Sequence, residues 1–189
     1  METYLNETPK NAFVKYAGKY GTYSGLILVF IAVIIYAFEV DLFNPIAMLL
    51  NLIIPLVIVI TFMYFGAKKY RKEIFFGNLT YMQALGLTFV IGVIAYYISA
   101  LFSFVLNEWI DPTYQLEQLD KVEAYLRSMQ EKSPMITDEI IEETIANSKE
   151  NIKSPLKQLT TSLYTSPMFS VVLALVVSLF VKKRTNLSE

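Results

Sequence analysis

Four carboxylates, Glu39, Asp41, Glu108 and Asp111, are the residues of this chain whose types and places come nearest to chemistry. Each stands just beyond a long apolar stretch. Where two such stretches end on the same side, the acids can meet as an acid and base pair or share a cation. Charge bias alone also puts acids at such ends, so the plainer account of all four is a solvated rim. Little else competes. The chain has no His and no Cys, which excludes histidine general-base catalysis, thiol nucleophiles, and the usual zinc and haem ligand sets. It also carries no phosphate-cradling Gly-rich loop, acidic metal-binding loop or nucleotide fingerprint. The expectation is a protein that is not an enzyme, with no cofactor, no metal, and no catalytic residue to name.

The elements that must position these acids are membrane spans. Of the 189 residues 54% are hydrophobic, and the mean hydropathy of +0.44 is too high for a soluble domain of this length. The apolar residues come in blocks, because 20–38, 42–67, 74–107 and 158–181 contain no Asp, Glu, Lys or Arg. A helix needs about 20 apolar residues to cross about 30 Å of hydrocarbon. The expected architecture is all-α: an integral membrane bundle of four transmembrane helices at 22–38, 45–66, 81–106 and 164–181, forming one membrane domain. The fourth has the least defined start. Its strongly apolar part is short, and Ser166-Pro167 reads as a cap followed by a proline at the first helical position. The first block follows Lys10, Lys15 and Lys19 as a signal peptide would, yet it ends at Tyr36-Ala37-Phe38-Glu39 without the small residues of a cleavage site, so an uncleaved anchor is expected.

Basic residues cluster before the first span (Lys10, Lys15, Lys19), after the second (Lys68, Lys69, Arg71, Lys72) and after the fourth (Lys182, Lys183, Arg184). With four crossings these ends share one face, and the positive-inside rule makes it the cytoplasm, with both termini inside. Lys153 and Lys157 run against the pattern but are outnumbered. The lysines hug the membrane, so nucleic acid is not an expected partner. The partners expected are the lipid bilayer and a protein, either another chain or a second copy.

Between the third and fourth spans, residues 112–153 read as an external amphipathic helical hairpin. Leu116, Leu119, Val122, Leu126 and Met129 recur at helical spacing after Asp111-Pro112; Ile140, Ile141, Ile145 and Ile152 do so after Thr137-Asp138. The two stripes are too narrow to stand alone and need a second surface. The hairpin is acidic, which suits a docking surface or cation site and, more plainly, a solvated outer face. Residues 74–79 read as an aromatic interfacial segment, and Thr80-Tyr81-Met82-Gln83 has the capping-box pattern of a helix start.

Small residues mark where helices approach in lipid. Gly21 and Gly25 form one such face; Ala84, Thr88, Gly92, Ala95, Ser99 and Ser103 form a longer one in the third span. Both are expected to face other helices of the bundle, a homodimer seam being the sharper alternative. In the second span Pro55 removes the backbone bond to Asn51, which makes a kink or, more sharply, a binding cleft. No Asp, Glu, Lys or Arg lies mid-span, which argues against coupled transport.

Lys19-Tyr20-Gly21 leading into Gly25-Leu26, Gly66-Ala67-Lys68-Lys69-Tyr70-Arg71, Leu79-Thr80-Tyr81 to Ala84, Ile110-Asp111-Pro112, and Ser154-Pro155 before a last helix ending in Lys182-Lys183 together resemble the family called domain of unknown function 4199. The resemblance spans nearly the whole chain and implies a four-helix bacterial inner-membrane protein. It brings no activity and no catalytic residue. The functional expectation is a non-enzymatic accessory or scaffold subunit that binds partners through the hairpin and the small-residue faces. The alternative is a small-molecule or lipid transporter or channel component working at the Asn51-Pro55 break.

Overall fold

A computed structural model describes residues 9–40, 45–133 and 136–183. These form α1 (Pro9–Ala37), α2 (Pro45–Ile74), α3 (Tyr81–Val105), α4 (Tyr114–Gln130), α5 (Asp138–Ile152) and α6 (Pro155–Val181). α3 runs on into a single π-helical turn, Leu106–Ile110. No β-strand occurs among the described residues. Four helices are long and apolar enough to cross a membrane: α1 from Lys10, α2, α3 with its π turn, and α6 from Leu156. The chain is an all-α bundle with four membrane-span-like helices, as its apolar blocks require.

α3 sits at the centre and packs most extensively on α6 and α1, and less on α2. Its inward residues Ala84, Leu87, Thr88, Ile91, Gly92 and Ala95 are buried. Lipid tails are as apolar as leucine, so this core is held by close van der Waals fit rather than by escape from water. The fit depends on small residues. α1 approaches α3 through Gly21, which lies against Ile94 and Ile91, and through Gly25, which lies against Ile98 and Ala95. Gly92 of α3 abuts Met63 of α2 and Ser170 of α6.

The start of α3 is closed by the capping box its sequence spells. The Gln83 backbone N–H donates to the Thr80 hydroxyl oxygen at 3.3 Å, and the Thr80 N–H donates to the Gln83 side chain at 3.0 Å. Ahead of it the chain turns through Phe76 and Gly77 at positive φ, of 49° and 95°, a conformation that glycine adopts at no steric cost.

α6 is longer than the 164–181 span expected from hydropathy. It starts at Ser154-Pro155 and continues through Pro167. A proline within a helix frees the carbonyl four residues earlier, here that of Leu163. The Tyr97 hydroxyl of α3 donates to that carbonyl at 3.0 Å. The lost helical bond is thereby replaced from a neighbouring helix, and no new helix start is needed at Ser166.

α4 and α5 form the external helical pair. Leu119, Ile141 and Ile145 make a small separate core, flanked by Val122, Leu126, Ile136 and Ile152. Each stripe thus finds most of its second surface in the other, while Leu116 and Ile140, which the spacing had also placed on the stripes, stay exposed. α4 begins three residues after Asp111, with Thr113 rather than Asp111 at the cap position. Asp111 still supplies the acceptor, since the backbone N–H groups of Thr113 and Tyr114 donate to its Oδ1 at 3.1 and 3.0 Å. A reciprocal amide pair between Gln115 and Gln158, at 3.0 and 2.7 Å, ties α4 to the start of α6.

Candidate functional site

Where α1 ends and α4 begins, the helices enclose an open concavity of about 250 Å³ lined by Tyr36, Glu39, Asp111, Tyr114, Glu117, Gln118 and Lys121. Tyr36 lies in the last turn of α1, and its hydroxyl donates to Asp111 Oδ2 at 3.2 Å. Its ring meets Tyr114 edge to face, with centroids 5.2 Å apart. Asp111 Oδ1 also accepts from the Thr113 hydroxyl at 2.8 Å. These donors hold the Asp111 carboxyl below its ordinary range; the Thr113 hydroxyl contributes most, desolvation opposes it, and Tyr36 and the two backbone N–H groups add to it. Burial, and then the nearby Asp111 charge, push the Tyr114 hydroxyl up. Asp111 at this place is an ionised anchor that joins the first span to the external pair.

The four acids singled out from sequence separate here. Glu39 and Asp111 line the same concavity. Glu108 is exposed on the π turn and is not among the residues lining it. Asp41 lies outside the described residues. Among the described residues no three Asp or Glu side chains converge in a way that would hold a metal ion. With four hydrogen bonds already made to Asp111, the arrangement suits adhesion between two elements better than proton transfer.

Of the helix-packing residues, Gly21, Gly25, Ala84, Thr88 and Gly92 all lie at contacts inside the bundle, and Ser99 is partly exposed. Thr88 spends its hydroxyl on its own helix, donating to the Ala84 carbonyl at 2.9 Å. Asn51 is exposed and Pro55 half-exposed, on a part of α2 where no described residue is buried.

The opposite, basic end is bound by contacts that sequence reasoning did not find. Tyr16 of α1 donates its hydroxyl to Glu73 of α2, and Glu73 also faces Lys69 at 3.7 Å. Arg71 donates to the Val181 carbonyl at the end of α6 at 2.5 Å. Leu79 and Lys183 exchange backbone hydrogen bonds of 2.9 and 3.0 Å. Lys19, Lys68 and Lys182 lie over the rings of Tyr23, Tyr64 and Tyr81 at 5.9, 5.5 and 5.7 Å, as basic side chains at a membrane boundary do. The i,i+4 pair Tyr16 and Tyr20 was the available signal for this end. Equally missed was the face of α6 made by Ser166, Ser170, Ala174 and Ser178, all buried, although its four-residue spacing is plain in the sequence.

Nothing among curated proteins or solved structures matches this chain. A family model described as protein of unknown function (DUF4199) matches residues 19–183, from within α1 to just past the end of α6. The chain belongs to the DUF4199 family.

Proposed function

We propose that this protein is a non-enzymatic accessory or scaffold subunit of the bacterial cytoplasmic membrane, with both termini inside and the α4–α5 pair outside, where it docks a protein partner. The observation that carries this reading is the state of the external pair. Most of its apolar stripe residues pack against each other, only Leu116 and Ile140 of them standing exposed, while Asp138, Glu139, Glu142, Glu143 and Glu150 stand exposed along α5. A helix pair that closes its own core and is tethered to the membrane bundle presents a fixed carboxylate surface, which complements a basic partner surface. The orientation rests on the basic clusters gathered at the other end of the bundle.

Site-specific photocrosslinking from Glu143 in native membranes tests this. The expected product is a discrete heterologous adduct that weakens at high salt and disappears when Asp138, Glu139 and Glu142 are changed to lysine. The same label yielding no adduct, or one indifferent to salt and charge reversal, would remove the docking role. Reconstituted vesicles that remain tight to ions and lipids are expected alongside, and a leak specific to the protein would favour a channel instead.

A further inference from the structure

Between the lead-in of α1 and the last turns of α2 lies a recess of about 60 Å³, lined by Lys15, Tyr16, Lys19, Tyr20, Lys69 and Glu73. A water-sized group takes about 10–15 Å³ of such space, so the recess has room for about four to six of them, the scale of a phosphate with its oxygens. Three of the lining side chains are ammonium groups and one is a carboxylate, a surplus of two positive charges. Lys15 and Lys19 stand four apart on α1, as Lys69 and Glu73 do on α2, so each pair shares one face of its helix. Glu73 is already engaged within the chain, since it accepts the Tyr16 hydroxyl and faces Lys69 at 3.7 Å. The nearly parallel rings of Tyr16 and Tyr20, with centroids 6.3 Å apart, belong to the α1 wall.

The place of the recess along the helices narrows which phosphate it suits. Lys19 directly precedes the charge-free run 20–38, and only Lys68 separates Lys69 from the run 42–67. The recess therefore opens where both spans leave hydrocarbon, at the level of phospholipid headgroups. Toward the apolar middle of the bundle the same faces lose their charge. Tyr23, Ile27 and Phe30 continue from Lys19 along α1 at intervals of four, four and three, and Phe65 precedes Lys69 by one turn of α2; all four are exposed. A phospholipid uses both features together, cations at the rim and an uncovered apolar strip running inward from them. A soluble phosphate uses only the first.

We propose that this recess holds the phosphate of an anionic phospholipid, with the ammonium groups of Lys15, Lys19 and Lys69 around it and an acyl chain along the face of Tyr23, Ile27 and Phe30. Lysine is a compact charge on a flexible stem, so each of the three reaches the phosphate from its own helical turn without a change of backbone. Lys19 also lies over the Tyr23 ring at 5.9 Å, which keeps its ammonium between the recess and the apolar strip. Because α1 and α2 both contribute, the bound lipid ties the two helices together at the basic end of the bundle.

Native mass spectrometry of the full chain in detergent, titrated with phosphatidylglycerol, phosphatidylcholine or inorganic phosphate, tests this. One phosphatidylglycerol is expected to be retained at concentrations where phosphatidylcholine is not, and inorganic phosphate at the same concentration is expected not to displace it. Lys19→Gln with Lys69→Gln is expected to weaken retention about thirtyfold, roughly a factor of five for each lysine removed, and Lys19→Arg with Lys69→Arg to keep it. Lys68→Gln with Lys72→Gln removes the same charge from the same end of α2, but neither residue lines the recess, and retention is expected to be unchanged. Lys19→Gln alone leaves the Lys69–Glu73 pair intact and stands even where the double variant fails to fold, with a loss of about fivefold expected. Equal losses from the two glutamine pairs, equal retention of phosphatidylcholine, or displacement by inorganic phosphate overturns the proposal.

Discussion

Alanine at Gly21 or Gly25 tests whether the α1–α3 contact is as tight as the backbone geometry makes it. A methyl group at Gly21 would lie 2.7 Å from Ile94 Cβ and 3.0 Å from the Ile91 carbonyl oxygen; at Gly25 it would lie 2.8 Å from Ile98 Cβ and 3.1 Å from the Ala95 oxygen. Ordinary carbon contacts are about 3.5–4.0 Å, and the opposing atoms are a β-branched stem and a main-chain carbonyl, neither of which can rotate away. The helices must separate by several tenths of an ångström, an overpacking cost of about 1–3 kcal/mol. Against this, alanine gains about 1 kcal/mol over glycine within a helix. Gly18, one turn earlier, has nothing within 4 Å of the added methyl. Gly18→Ala therefore keeps the gain without the cost. The three variants differ only in what the methyl meets, so the gap between Gly18→Ala and Gly21→Ala isolates the overpacking cost. Reversible unfolding in mixed detergent micelles measures it. Gly21→Ala plus Gly25→Ala together should cost less than their sum, since one separation relieves both clashes. Gly18→Ala and Gly21→Ala agreeing within about 0.5 kcal/mol would refute the packing argument.

Three further outcomes follow from the same geometry. Tyr97→Phe should cost about 1 kcal/mol by stripping the donor from the Leu163 carbonyl, and the loss should vanish in a Pro167→Ala background, where the helix regains its own N–H; a double-mutant cycle with zero coupling would contradict this. Ser170→Ala should be neutral or stabilising by up to about 1 kcal/mol, because its buried hydroxyl has no hydrogen-bond partner among the described residues, whereas Ser178, which donates to the Ala174 carbonyl, should lose stability on the same change; unfolding midpoints compare the two. The Asp111 carboxyl is held down in the folded chain, so its contribution to the α1–α4 junction is complete above the ordinary carboxylate range and is lost as pH falls through its lowered value. Amide exchange at Thr113 and Tyr114 should accelerate only in that acid window, and Asp111→Asn should abolish the dependence.

The spans were legible because hydrocarbon imposes a condition on composition that involves no partner: a run such as 74–107 without a charge has few other places to go. The external pair was legible for a similar reason, since the three- and four-residue recurrence from Leu116 to Met129 needs no knowledge of what covers it. The Thr80–Gln83 cap is closed within four residues and could be read directly. By contrast, the fate of Pro167 depended on Tyr97, which is remote along the chain, and hydropathy alone made α6 begin too late. The candidate site divided in the same way. Glu39 and Asp111 could be named as acids at span ends, yet the grouping of Asp111 with Tyr36 and Tyr114, and the departure of Glu108, depended on how α3 ends in its π turn.

From its residues alone this chain was bound to be helical and to cross a membrane with an acidic pair of helices outside the apolar spans, because those properties follow from local periodicity and from the cost of charge in hydrocarbon. Only the tertiary structure decided which helix lies at the centre and which side chain meets the carbonyl that Pro167 frees. In lipid nearly every surface of a span is equally apolar, so the sequence does not distinguish a face turned to another helix from one turned to the bilayer. That distinction comes from shape, from glycines that let backbones meet and from hydroxyls that reach a freed carbonyl, and shape exists only once the helices are assembled.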